Sequence, residues 1–276
     1  MALAEDYDSP EDLTEDLVEE TMEDIDTQDQ VYRLVFELWR RLETDKPCLS
    51  IFCDELDHQI HLYEHGHTES AEELQDVIAN LQVILDENTD QGADPIDVLQ
   101  SINEGCAKDI ESFLFDFISE QIENNNASYA MELLDSFSDY IEDLKWFELL
   151  RLRVMITSDP EGATLLIEQL IDEAITEYDL EYNLALLSEM IHEGEETSFF
   201  KLVKTSLPLL ETEEDLRDIL LICADLFNCL DQDQEEARIQ HLIEARTQAI
   251  TAPLLENDTA INEFKSIVHH YAPADH

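Results

Sequence analysis

Apolar residues recur along this chain at helical spacing almost from end to end. Val31, Leu34, Val35, Leu38 and Leu42 stand at i, i+3, i+4, i+7 and i+11, a stripe along one side of an α-helix. Thr27 and Gln30 open that segment with capping-box spacing, and Asp45-Lys46-Pro47 closes it. The same logic predicts helices over residues 49–65, 69–86, 95–105 and 108–124. Breaks fall at His65-Gly66-His67, between Asn88 and Pro95, and at Gly105. No segment alternates with the period of two that marks a half-buried strand. Only five glycines and seven prolines occur in 276 residues, against roughly 12% for the two together in an average globular chain. The expected fold class is all-α.

Asn124-Asn125-Asn126 is the strongest internal break. It divides an N-terminal helical region, 27–126, from a second region, 127–276, in which the pattern repeats. First helices are predicted at 127–140, 162–176, 196–210 and 234–250, and second helices at 144–157, 180–192, 213–229 and 258–270. Ala130/Leu133/Leu134/Phe137 overlays Ala163/Leu166/Ile167/Leu170, and Phe199/Leu202/Val203 and Ile239/Leu242/Ile243 continue the series. In the second helices Phe147/Leu150/Val154, Leu184/Leu187/Ile191 and Leu216/Ile219/Cys223 correspond. The period lies near the tetratricopeptide spacing of about 34 residues. Asp159-Pro160-Glu161-Gly162-Ala163 resembles the proline-marked junction between such repeats. Over 127–270 the chain therefore resembles the tetratricopeptide-like helical repeat proteins. The Trp, Leu-Gly and Tyr positions of the family's first helix are filled by other types here, so the resemblance implies architecture alone: stacked helical hairpins forming an α-solenoid. Such arrays leave a concave face of first helices that binds an extended or helical segment of another protein.

Charge narrows the partner. Sixty-eight acidic residues face fourteen basic ones, a formal charge of −54. A surface this negative repels nucleic-acid phosphates and anionic lipid, and attracts basic proteins, basic peptides and dications. Hydrophobic content of 44% excludes a wholly disordered chain. Residues 1–26 form an acidic leader with twelve Asp or Glu and no base, expected as a disordered tail. The alternative is a helix starting at Ser9-Pro10-Glu11-Asp12, with Leu17, Val18, Met22 and Ile25 as its apolar side, folded against a partner or back onto its own chain.

Five cysteines (Cys48, Cys53, Cys106, Cys223 and Cys229) include no C-x-x-C pair, which reads as reduced thiols in a cytoplasmic protein. Neither a signal sequence nor a membrane span is legible, and export by a route that leaves no such mark stays open. Phosphate-binding loops and serine-nucleophile elbows are also missing, so no catalytic residue and no cofactor is expected. One cluster has metal-ligand chemistry. Asp54, His58, His61 and His65 fall in one stripe of the 49–65 helix, opposite Phe52, Leu56, Ile60 and Tyr63, a spacing that can supply two or three ligands to one ion. The alternative is a solvated polar face. The aromatics Trp146, Phe147, Phe199, Phe200 and Tyr182 are candidates to line a partner groove, because one of each adjacent pair points away from the helix's own core face.

These observations predict a non-enzymatic scaffold, adaptor or chaperone binding a basic or amphipathic segment of a protein partner. In charge and architecture it resembles the type III secretion chaperones. Two alternatives stand beside this: an acidic nucleic-acid mimic or histone-type chaperone, and a metal-dependent enzyme built on the His stripe.

Overall fold

A computed structural model of the chain describes residues 7, 9–21, 25–42, 48–66, 71–191, 196–254 and 258–272. Among them are fourteen α-helices and no strand, apart from one isolated bridge between Thr212 and Pro253. The chain divides into two compact units. Unit 1 comprises Met1–Phe117 and Asp135–Glu142, and unit 2 comprises Ile118–Leu134 and Asp143–His276. Asn124–Asn126 lies within unit 2, and Asp135–Glu142 returns to unit 1.

Unit 1 opens with α1 (Pro10–Thr21) and α2 (Ile25–Leu42). The acidic leader is thus a helix over Pro10–Thr21 rather than a disordered tail there. The Asp12 amide donates to Ser9 Oγ at 3.2 Å, a side-chain N-cap. Leu13 is buried against Val35 and Trp39 of α2, with Tyr7, Leu17, Val31 and Ile51 packed around them. The leader has folded back onto its own chain. Glu11 secures it by accepting from Ser50 Oγ, at the start of the next helix.

Three further helices build the main core of this unit: α3 (Leu49–Glu64), α4 (Ala71–Asp90) and α5 (Pro95–Gly105). Each packs on the other two, and Leu56, Ile60, Leu81, Leu85, Leu99 and Ile102 are buried. Asp94 caps α5 by accepting from the Ile96 amide at 3.1 Å, with Pro95 in the first turn. The carboxylate of Asp57 on α3 takes the amides of Ala107 and Lys108 at 2.7 and 2.9 Å. That contact fastens the turn into α6 (Ile110–Glu123). There Tyr63 meets Phe113 and Phe117 edge-on at 5.9 and 5.5 Å. After α7 (Ala127–Phe137), a 3-10 turn over Ser138–Tyr140 is tied down by Tyr140 Oη donating to Asp86 at 2.6 Å.

Unit 2 holds α8 (Leu144–Ser158), α9 (Pro160–Glu177), α10 (Leu180–Met190), α11 (Glu196–Ser206), α12 (Glu213–Cys229), α13 (Asp233–Glu244) and α14 (Thr259–Tyr271). Their starts follow local chemistry. Asp159 and Asp179 cap α9 and α10, Thr212 and Asp215 form a capping box on α12, and Asp258 caps α14. One continuous apolar core runs through all seven helices. Alternate helices touch as well as neighbours: α8 meets α10, α9 meets α11, and α10 meets α12.

The helix expected over 234–250 stops at Glu244. Beyond it the chain runs irregularly along the start of α12. The amides of Glu213 and Glu214 donate to the carbonyls of Ala252 and Ile250, both at 2.9 Å. These are orphan amides of a helix start, and the segment satisfies them by leaving the helix. Arg246 locks the arrangement from within a triad. It donates to both oxygens of Glu213 and to Asp258 at 2.9 and 3.2 Å. The side chains of Arg246, Glu213 and Asp258 are 5%, 1% and 12% exposed.

Candidate functional site

A groove of about 1060 Å³ lies in unit 1 between α2, α3, α4 and α5. Its apolar lining includes Trp39, Leu49, Ile51, Phe52, Val77, Val83, Ile84, Val98 and Ile102. The charged residues around it are Glu55, Glu87, Asp94 and Asp97, with Arg40 at one edge. Glu87, Asp94 and Asp97 are exposed, so their charge reaches solvent. The α4 wall runs from Val77 to Asn88, about 16 Å at 1.5 Å per residue. That length matches three turns of a docked helix. Val83 and Leu49 are 51% and 45% exposed, so part of the apolar lining faces water.

The sequence pattern around α4 makes the groove intelligible. Leu74, Ile78, Leu81 and Leu85 fill the core face, which uses up the ordinary one-sided stripe. The half-buried Val77 and Ile84 flank that face, and the exposed Val83 stands nearly opposite it. An apolar sector this wide is the signal that this helix serves more than its own core. Apolar spacing predicts the helix but not which of its sides stays uncovered.

The candidate partner-binding aromatics lie inside unit 2. Phe147, Phe199, Phe200 and Tyr182 are buried, and the half-buried Trp146 packs edge-on against Tyr182 at 5.4 Å. Phe200 also stacks on Tyr271 at 5.0 Å. Adjacent aromatics can both be internal here because α11 is surrounded, touching α9, α10 and α14. The bases near them are engaged with acids. Arg153 donates twice to Glu189 at 3.0 and 2.6 Å, Arg151 pairs with Glu148 at 3.1 Å, and Lys201 pairs with Asp172 at 2.9 Å. Lys145 bridges Glu177 and Asp179, and Asp179, despite its partial burial, is held below the ordinary carboxylate range by Lys145 and by the amides it caps.

The His stripe divides. His61, Glu64 and His65 bring one ligand atom each within 4.8 Å of one another, all three exposed. Asp54 and His58 lie earlier on α3 and line a second cleft of about 620 Å³ with Tyr32, Arg33 and Phe36. Within the triplet the rings of His61 and His65 sit 4.1 Å apart. His65 Nδ1 lies 2.8 Å from the His61 carbonyl, leaving Nε2 outward. Glu64 is bound to Lys108 at 2.5 Å, and that contact lowers its carboxyl below the ordinary value. A dication there would draw on two imidazoles and would compete with Lys108 for the carboxylate.

Burial pushes the thiols of Cys53, Cys223 and the half-buried Cys106 above their ordinary value, which suits inert thiols rather than nucleophiles. No helix among the described residues is long and apolar enough to cross a membrane. Comparison of the chain with family models, with curated proteins and with solved structures finds no match.

Proposed function

We propose that this chain is a non-enzymatic protein-binding scaffold or chaperone, and that the groove of unit 1 seats a basic amphipathic helix of a partner protein. The groove carries the reading. Its apolar lining would take anchors at i, i+3 or i+4, and i+7 of a three-turn helix. Its acidic rim of Glu55, Glu87, Asp94 and Asp97 would meet Lys or Arg on the flanks. The formal charge of −54 would steer such a segment to the surface and repel acidic competitors. We read unit 2 as a stack of helical pairs of the tetratricopeptide-like kind. The alternate-helix packing of α8, α10 and α12 supports that reading, as does the sequence period.

The test is fluorescence anisotropy with a labelled three-turn amphipathic peptide bearing Leu anchors and Lys flanks, titrated with the full chain. Binding is expected to weaken at least tenfold in Val83→Lys/Glu87→Lys and to keep a measurable component at 0.5 M NaCl. Equal affinity of wild type and variant would reject the groove. Loss of all binding in high salt would favour the nucleic-acid mimic instead.

A further inference from the structure

The last turn of α3 gathers three metal-ligating side chains. His61, Glu64 and His65 stand at i, i+3 and i+4, the spacing that sets side chains next to one another on one helix face. Each brings a ligand atom within 4.8 Å of the other two, and all three are exposed. The longer stripe legible in the sequence cannot serve one ion, since Asp54 and His65 are separated by about 16 Å of helix axis at 1.5 Å per residue. Glu64 takes the place of Asp54 and His58 beside the two imidazoles.

Three features prepare the triplet for a cation. The His61 carbonyl can only accept a hydrogen bond, so His65 Nδ1, 2.8 Å away, carries the proton. The neutral ring then keeps its lone pair on Nε2, and a bond of this kind on the other ring nitrogen is what commonly orients a metal-ligating histidine. The rings of His61 and His65 lie 4.1 Å apart, tilted by 42°, close enough for both to reach one ion. The triplet also sits where α3 ends, with His65 as the C-cap, and the C-terminal end of a helix favours positive charge. Lys108 already uses Glu64 as a cation seat, its Nζ lying 2.5 Å from Oε2.

We propose that His61, Glu64 and His65 bind one first-row transition dication of the Zn²⁺ type, which displaces Lys108 from the Glu64 carboxylate. Two imidazole nitrogens and one carboxylate suit Zn²⁺, Ni²⁺ or Cu²⁺, whereas Mg²⁺ and Ca²⁺ take oxygen ligands. Three protein ligands leave a further position to water. The formal charge of −54 concentrates every dication near the chain, and the imidazoles choose among them. The site is open and exposed, so its affinity falls short of a closed four-ligand structural site and lies in the micromolar range. None of the three residues lines the groove of unit 1, so the site stands apart from the partner-binding reading.

The experiment is calorimetric titration of Zn²⁺ into the full, untagged chain at pH 7.5, with 10 mM MgCl₂ present to occupy the scattered carboxylates. One saturable Zn²⁺ per chain is expected as the tightest step. His61→Gln/His65→Gln is expected to weaken it at least tenfold, while circular dichroism holds because both side chains are exposed and Gln is a good helix former. His269→Gln/His270→Gln is expected to bind like wild type. Lys108→Ala is expected to tighten binding by removing the competing cation. Lys201→Ala, which removes the same charge from a pair with Asp172, is expected to leave it unchanged. Absence of a saturable step in Mg²⁺ would overturn the proposal, as would equal affinity in the His61/His65 variant. Equal tightening in the two lysine variants would assign the ion to the diffuse acidic field and overturn the site. An affinity unmoved by Lys108→Ala would strike Glu64 from the ligands and overturn the three-ligand arrangement.

Discussion

Replacing Arg246 by Met should be the most damaging single change of a charged residue in unit 2. The guanidinium answers two carboxylates at once, and the three side chains are 5%, 1% and 12% exposed. Met keeps the length and apolar stem but leaves Glu213 and Asp258 facing each other without a cation. Breaking a buried pair by removing one partner costs about 3–5 kcal/mol. A buried carboxylate has one escape, which is to take up a proton. From an ordinary Glu value of about 4.3 this costs about 3.7 kcal/mol at pH 7 and about 1 kcal/mol at pH 5, at 1.36 kcal/mol per pH unit. The loss should therefore be about 3–4 kcal/mol at pH 7 and shrink to about 1 kcal/mol at pH 5. Wild type behaves oppositely. Arg246 holds the Asp258 carboxyl below its ordinary value. That contribution is complete above the unfolded carboxyl's value and disappears as pH falls through the folded one. Urea unfolding read by tryptophan fluorescence is the assay. The chain has two tryptophans, Trp39 in unit 1 and Trp146 in unit 2, so a Trp39→Phe background reports unit 2 alone. A loss under 1 kcal/mol at pH 7, or an equal loss at both pH values, would refute the reasoning.

Added salt should raise the melting temperature, because screening relieves repulsion among the excess carboxylates. A melt indifferent to NaCl between 20 and 300 mM would contradict this. Asp159→Ala should cost unit 2 about 1 kcal/mol by removing the 3.1 Å cap on the Gly162 amide, measured by the same urea titration. Gly162→Ala should not recover the usual helix gain, since the added methyl would run into Asp159 Oδ2 and fall 2.6 Å from Met155 Cε. In native protein at pH 8, iodoacetamide followed by mass spectrometry should label the exposed Cys229 well before the buried Cys223. Equal labelling would mean that unit 2 opens more readily than its core suggests.

The helices of this chain were legible because they are specified locally. Ser9, Asp94, Asp159, Asp179 and Thr212 open helices wherever they precede a periodic apolar run, and Asn125 and Tyr178 adopt positive φ where helices end. Apolar spacing of 3.6 needs no knowledge of neighbours. Sequence alone also determined the acidic field, since charge adds up whatever the fold. What tertiary structure decided was which apolar face meets which neighbour. On α2 the periodic stripe and the buried face are adjacent sectors, and only packing against α1 and α3 chose Val35 and Trp39 over Leu34 and Leu38. On α11 both members of an aromatic pair went inside because helices surround them. The Glu213–Arg246–Asp258 triad joins positions 33 and 12 residues apart, and it ends a helix that local preference would have continued. Burial is a property of the assembled surface, so a one-dimensional pattern names the candidates for the core and packing elects among them.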